Sequence, residues 1–149
     1  MPLPIRKQQA RELAMQVLFL WDANAKADLA LAESLIAGIE RTESRDETAE
    51  RLAITYAQGA WVHRAQADPW VERLAPQWPT RRQPAVDRNI LRLAIWEMTH
   101  TDTPPKVVID EAIELAKRFS TENSPSFVNG VLDAVLREVK TLTGGLPET

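Results

Sequence analysis

The feature that most constrains this chain is a helical period running through its second half, cut into segments by proline. Val108, Ala112, Leu115, Ala116 and Phe119 recur at i, i+4, i+7, i+8 and i+11, which places them on one side of an α-helix. Val128, Val131, Leu132, Val135 and Val139 repeat the logic one segment later. No stretch of useful length alternates with a period of two, so strands are not expected. Seven helices are predicted, over about 6–23, 28–41 and 46–66, then a short one after Asp68-Pro69, then about 84–100, 103–119 and 124–141. Asp28 and Ser124 are the expected N-caps, and Pro104 and Pro125 suit the first helical position. The connections are short, so neighbouring helices should pack antiparallel or at a steep crossing. The expected fold is all-α, one compact domain over 1–142, with a frayed tail at 143–149 that carries Gly144-Gly145 and Pro147.

Composition narrows the chemistry. A chain of 149 residues is long enough for one core. It has no cysteine, which excludes disulfides, cysteine metal sites and a thiol nucleophile. Its two histidines, His63 and His100, argue against a multi-histidine metal site. Five glycines, none in a GxGxxG or GxxxxGK pattern, offer no nucleotide cradle. No metal or cofactor is expected. The longest unbroken aliphatic or aromatic run is Val17 to Trp21, far short of the ~18 residues of a membrane span. With no secretory leader pattern either, a soluble cytoplasmic protein is expected.

The net charge of −3 is not that of a nucleic-acid binder taken whole, yet the charge is sorted along the chain. Residues 1–11 carry Arg6, Lys7 and Arg11 with no acid. Residues 81–92 carry Arg81, Arg82, Arg88 and Arg92 against Asp87 alone. Residues 22–50 hold eight acids and three bases.

The first helix is the most informative. Ala10, Ala14, Val17 and Trp21 fall on one side, flanked by Leu13 and Leu18. Phe19 falls opposite, beside Glu12, with Gln8, Arg11 and Met15 nearby. An aromatic ring on a polar face, next to a basic arm, would suit stacking of an unpaired base. If the helix is buried on both sides, Phe19 is simply core. Arg6, Lys7 and Arg11 could contact phosphates or be a solvated helix start. Arg88 and Arg92 should project together from the fifth helix, where they could bind phosphate, an acidic partner surface, or nothing. Glu97 points into that helix's apolar face, where a buried carboxylate needs an arginine or a helix N-terminus as partner; general acid–base use would need a second group nearby. The loop Ser120–Ser124 ends at a helix start, a natural anion site, with Phe127 in the first turn. Gly130 in mid-helix suggests close approach of another backbone. Trp78, beside Pro79 and the Arg81-Arg82 pair, is expected to be partly exposed.

Several of these residues fall in longer runs. Val86-Asp87-Arg88-Asn89-Ile90-Leu91-Arg92-Leu93-Ala94, followed by Trp96-Glu97, resembles the central signature of the NusB family of transcription antitermination factors. So do Pro105-Lys106-Val107-Val108-Ile109, Glu111-Ala112 and Glu114-Leu115-Ala116-Lys117. Phe127-Val128-Asn129-Gly130-Val131-Leu132-Asp133 is the most specific piece, and Ala10-Arg11-Glu12 with Gln16 and Phe19 resembles the family's first helix. The resemblance is strong from 78 to 136 and weak from 24 to 58.

It implies an all-helical fold of two small bundles packed together. It implies binding of the boxA element of ribosomal RNA leaders, jointly with a small-subunit ribosomal protein called NusE in this role. The pair helps RNA polymerase pass terminators, and no reaction is catalysed. Carried onto this chain, the RNA-binding residues would be Arg6, Lys7, Arg11, Phe19, Asn123, Ser124 and Phe127. Arg88 and Arg92 would be contacts to partner or RNA. Gln8 and Gln9 interrupt a basic run that is often richer in arginine in the family, so RNA affinity without the partner should be weak. Asn123 stands where relatives often carry an acid, which would remove one repulsion toward phosphate. Two other readings stay open. One is a protein-only helical adaptor using the same surfaces. The other is the RNA-binding part of an RNA methyltransferase, although the given sequence holds no cofactor-binding domain and no cysteine nucleophile.

Overall fold

The computed structural model describes residues 3–39 and 47–142. Seven α-helices follow in order: α1 (Leu3–Asn24), α2 (Leu29–Gly38), α3 (Glu47–Val62), α4 (Arg64–Leu74), α5 (Ala85–His100), α6 (Pro105–Phe119) and α7 (Ser124–Leu142). A short 3₁₀ turn, Thr80–Arg82, precedes α5, and no strand occurs among the described residues. The expected tail, 143–149, lies outside the described residues.

The helices form two groups. α1 packs on α3 and, more lightly, on α2. α4, α6 and α7 gather around α5, which also packs on α1 and α3 and so joins the groups. Its central position follows from its sequence: every side chain from Asn89 to Ile95 is buried. α1 and α3 meet over small residues. Ala10 and Ala14 on one helix, and Ala53, Ala57 and Ala60 on the other, are enclosed and let the axes come close. Trp21, Ile90, Leu91, Val108, Val128, Leu132 and Val135 fill the core around them.

Several starts and stops follow the expected local chemistry. Asp28 caps α2 by accepting the Leu31 N–H at 3.1 Å. α1 ends in a Schellman closure, with Lys26 N–H on the Trp21 carbonyl at 3.1 Å and Ala25 N–H on the Asp22 carbonyl at 3.3 Å. Ala25 carries the positive φ of 55° that this closure requires.

Other boundaries differ from expectation. The long third helix breaks at His63, and α4 then begins five residues before Pro69. Pro69 sits inside α4 and cannot bond the Ala65 carbonyl, but Ala65 is exposed, so water can satisfy that group. α6 opens at Pro105 because a proline keeps the residue before it out of the α region, and Pro104 is extended with ψ 132°; the Thr103 side chain meets Thr101, 3.2 Å away, and caps nothing. Gly130 is exposed, with open space where a Cβ would stand. The close approach belongs to Gly59 instead, whose added Cβ would lie 2.2 Å from the Trp96 ring.

Candidate nucleic-acid interface

The arginines offered by the sequence divide sharply once the helices are packed. Arg11 is buried, and its guanidinium forks Glu97 of α5, with Nε to Oε1 at 2.9 Å and Nη2 to Oε2 at 2.6 Å. Burial works against its charge, but the Glu97 bonds and charge outweigh it and raise its pKa. This resolves both ends of the expectation. Glu97 is the buried carboxylate with an arginine partner, and Arg11 does not face solvent as a phosphate contact.

Arg88 and Arg92 do not project outward either. Arg88 donates to Asp22 at 2.7 Å and to the carbonyls of Thr80 and Gln83. Arg92 is buried and holds Asp68 of α4 through two bonds of 2.8 and 2.7 Å. Asn89, fully enclosed, bridges the set by donating to Asp22 and accepting from Arg92. Burial would raise the Asp22 pKa, but Arg88 and Arg92 lower it overall. These two arginines tie α1 and α4 to α5.

Ser124 is likewise internal. Its hydroxyl donates to Asp87 at 2.8 Å and accepts the Thr121 N–H at 3.2 Å, closing the loop backward without capping α7. Ser120 also donates to Asp87. Asp87 of α5 thus pins both ends of the loop between α6 and α7. Asn123, at the tip, is exposed, and Phe127 is half-buried against the core.

Phe19 does face out, at 44% exposure. The reason lies in helix lengths. Gln8 bonds Glu111 at 3.0 Å and Glu12 bonds Arg118 at 2.9 Å, so α1 and α6 run in the same direction. Arg118 lies one residue from the end of α6, whereas α1 continues for twelve residues past Glu12, about 18 Å of helix. Phe19 falls on this overhang, on the same stripe as Gln8 and Glu12. Met15, expected nearby, is instead buried.

The overhang meets the loop end of the molecule. Asp22 contacts the start of α5, and the adjoining Asp87 holds the loop before α7. Phe19 and Asn123 therefore share one end. Arg6 and Lys7 sit at the other end of α1, with Lys7 about 18 Å from Phe19 along the axis. The expected compact patch is thus an elongated track. Sequence reading missed Asp87 as the anchor of the loop. It also missed Lys117 and Arg118 as cations in the last turn of α6, next to the same loop. Their place just before Ser120 was the available signal. Trp78 is exposed, as expected.

Fold and site together define an all-helical bundle presenting an aromatic ring, an amide side chain and cations along one edge. A family model described as the NusB family matches residues 8–137. The chain belongs to the NusB family. It is 47% identical, over 89% of its length and 90% of the relative's, to the transcription antitermination protein NusB of Solibacter usitatus. The solved structure of T. maritima NusB superposes with a TM-score of 0.75 at 37% identity, covering 93% of this chain and 94% of that one. A structure of the antitermination factors NusB and NusE in complex with dsRNA superposes at 0.75 with 26% identity, covering 92% and 99%. Among the described residues, no helix is long and apolar enough to cross a membrane, and no group of three or more potential metal-ligating His, Cys, Asp or Glu side chains forms.

Proposed function

We propose that this chain is a cytoplasmic, non-catalytic antitermination factor. In this reading it binds single-stranded boxA-type leader RNA of ribosomal transcripts together with NusE and promotes read-through by RNA polymerase. Family membership supports the role, and the relative solved with NusE and RNA supports the partners. The observation that carries the RNA reading is Phe19, an exposed ring on the overhang of α1 at the end where Asn123 is presented.

Phe19 is assigned to stack one base. Asn123 is assigned to the neighbouring phosphate or base edge, and Phe127 supports the loop from beneath. Lys7 and Arg6 draw the strand along the far end of α1 through phosphate attraction. Ser124 and Arg11 act from inside, by holding the loop and the helix in place. A second reading is favoured by the exposure of Phe19 and Trp78: both rings would equally suit a protein partner in an adaptor that binds no RNA.

Titration of a boxA-like single strand and a scrambled strand at several salt concentrations, with and without NusE, decides between them. The expected result is preference for boxA, tightened by NusE and weakened by salt. Equal affinity for both strands with NusE present overturns the RNA reading and leaves the adaptor.

A further inference from the structure

The connector between α4 and α5 carries no acid from Leu74 to Val86, and it holds Trp78, Arg81 and Arg82. Trp78 is 54% exposed, and both arginines face solvent. Arg88 and Arg92 each meet a carboxylate, whereas Arg81 and Arg82 meet none among the described residues. Asp22 and Asp87, the acids at the start of α5, are already bonded to Arg88 and to Ser120 and Ser124. The connector therefore presents two unanswered cations beside an open ring. It is also held in shape. The Trp78 N–H donates to the Ala75 carbonyl at 3.0 Å, and the Trp78 carbonyl accepts from Gln83 Nε2 at 2.9 Å. The Arg82 N–H donates to the Pro79 carbonyl at 2.8 Å. Arg88 Nη1 donates to the carbonyls of Thr80 and Gln83 at 3.0 and 3.3 Å.

Two consecutive residues of α5 tie this connector to the recognition end. Arg88 bonds Asp22 as well as the connector, and Asp22 follows Phe19 by three positions, on the adjoining side of α1. Asp87 holds the loop that presents Asn123. Phe19, the connector and that loop thus gather around the start of α5. We propose that the connector is a second stacking platform for the same single-stranded RNA, with Trp78 under a base that flanks the one on Phe19 and Arg81 and Arg82 on the adjoining phosphates. The inference rests on the RNA reading of Phe19. A guanidinium matches the geometry of a phosphate, and a base offers its face to an indole whatever its identity. The platform therefore grips the strand without reading it. Because the connector is already ordered, little conformational freedom is lost on binding. An acidic protein surface would also answer two arginines. A strand is favoured because one polymer alternates bases with phosphates and continues from Phe19 and Asn123 at the same end.

The test is titration of the full chain, from low salt upward, with a boxA-like single strand carrying flanking nucleotides on both sides. Trp78→Ala should weaken binding roughly 5- to 150-fold, and equally so when the flanks are scrambled. Arg81→Gln combined with Arg82→Gln should reduce the slope of log affinity against log salt by about 1.4, at about 0.7 per phosphate on a single strand. Trimming the flanks should erase the difference between the native chain and Trp78→Ala but keep that between the native chain and Phe19→Ala. NusE affinity and Tm should stay unchanged in every variant. Native-like RNA binding by Trp78→Ala, where Phe19→Ala binds weakly, overturns this inference and leaves the RNA reading standing. Loss of NusE affinity in Trp78→Ala with RNA binding intact assigns the connector to the protein partner and also overturns it. Failure of the native chain to prefer the boxA-like strand even with NusE present overturns both.

Discussion

Arg11, Arg88 and Arg92 on one side, and Lys7, Phe19 and Asn123 on the other, were candidates for the same task, yet the fold uses them in opposite ways. The three arginines each meet a carboxylate from another helix and hold the bundle together. In the second set Phe19 and Asn123 are exposed and Lys7 is half-buried. The difference teaches that local sums of charge overstate the field at a surface when the acids that answer them lie far away in sequence. Glu97, Asp22 and Asp68 are 86, 66 and 24 residues from their arginines. Phe19 stays outside because α6 stops short of it, whereas each of the three arginines points at a packed helix that supplies a carboxylate.

That contrast can be broken at its interior side first. Glu97→Ala leaves a buried guanidinium uncompensated and should cost about 3–5 kcal/mol in urea unfolding. A loss within 0.5 kcal/mol would mean that the pair is not structural. Gly59→Ala forces a methyl group against Trp96, and overpacking of this kind should cost about 1–3 kcal/mol. The exposed side of the comparison predicts the opposite sign at Gly130, where alanine should add up to about 1 kcal/mol.

Acid gives a finer probe. Asp22 has its pKa lowered in the fold, so the unfolded chain binds more protons as pH falls below the ordinary value of 3.8. Its stabilising effect is therefore present at neutral pH and lost in that acidic range. Native protein should lose more stability between pH 6 and pH 3 than Asp22→Asn does, measured by thermal melting. Glu138, held at about 2 by Arg73 and Trp70, follows the same sign, but its exposed position makes its share small.

Much of this architecture was legible beforehand. Strict apolar stripes announced α6 and α7, and the wheel of α1 put Phe19 outside and Trp21 inside. Glu97 was readable as a buried acid in need of a partner, because it shares its helix face with Val86, Ile90 and Leu93. Its partner was not, since Arg11 looked equally suited to solvent from its own helix alone. The junction at His63 was hidden because Pro69 offered a stronger local stop signal than any residue near 63. The extent of the recognition track depended on the relative lengths of α1 and α6, which no single helix pattern contains.

The central claim is that recognition rests on the overhanging ring, with the arginines working inside. Phe19→Ala measures it most directly, with boxA affinity, NusE affinity and Tm read on the same preparation. Loss of one stacked base, worth about 1–3 kcal/mol, should weaken RNA binding roughly 5- to 150-fold while NusE affinity and Tm stay unchanged. Undiminished boxA binding by the folded variant would contradict the account.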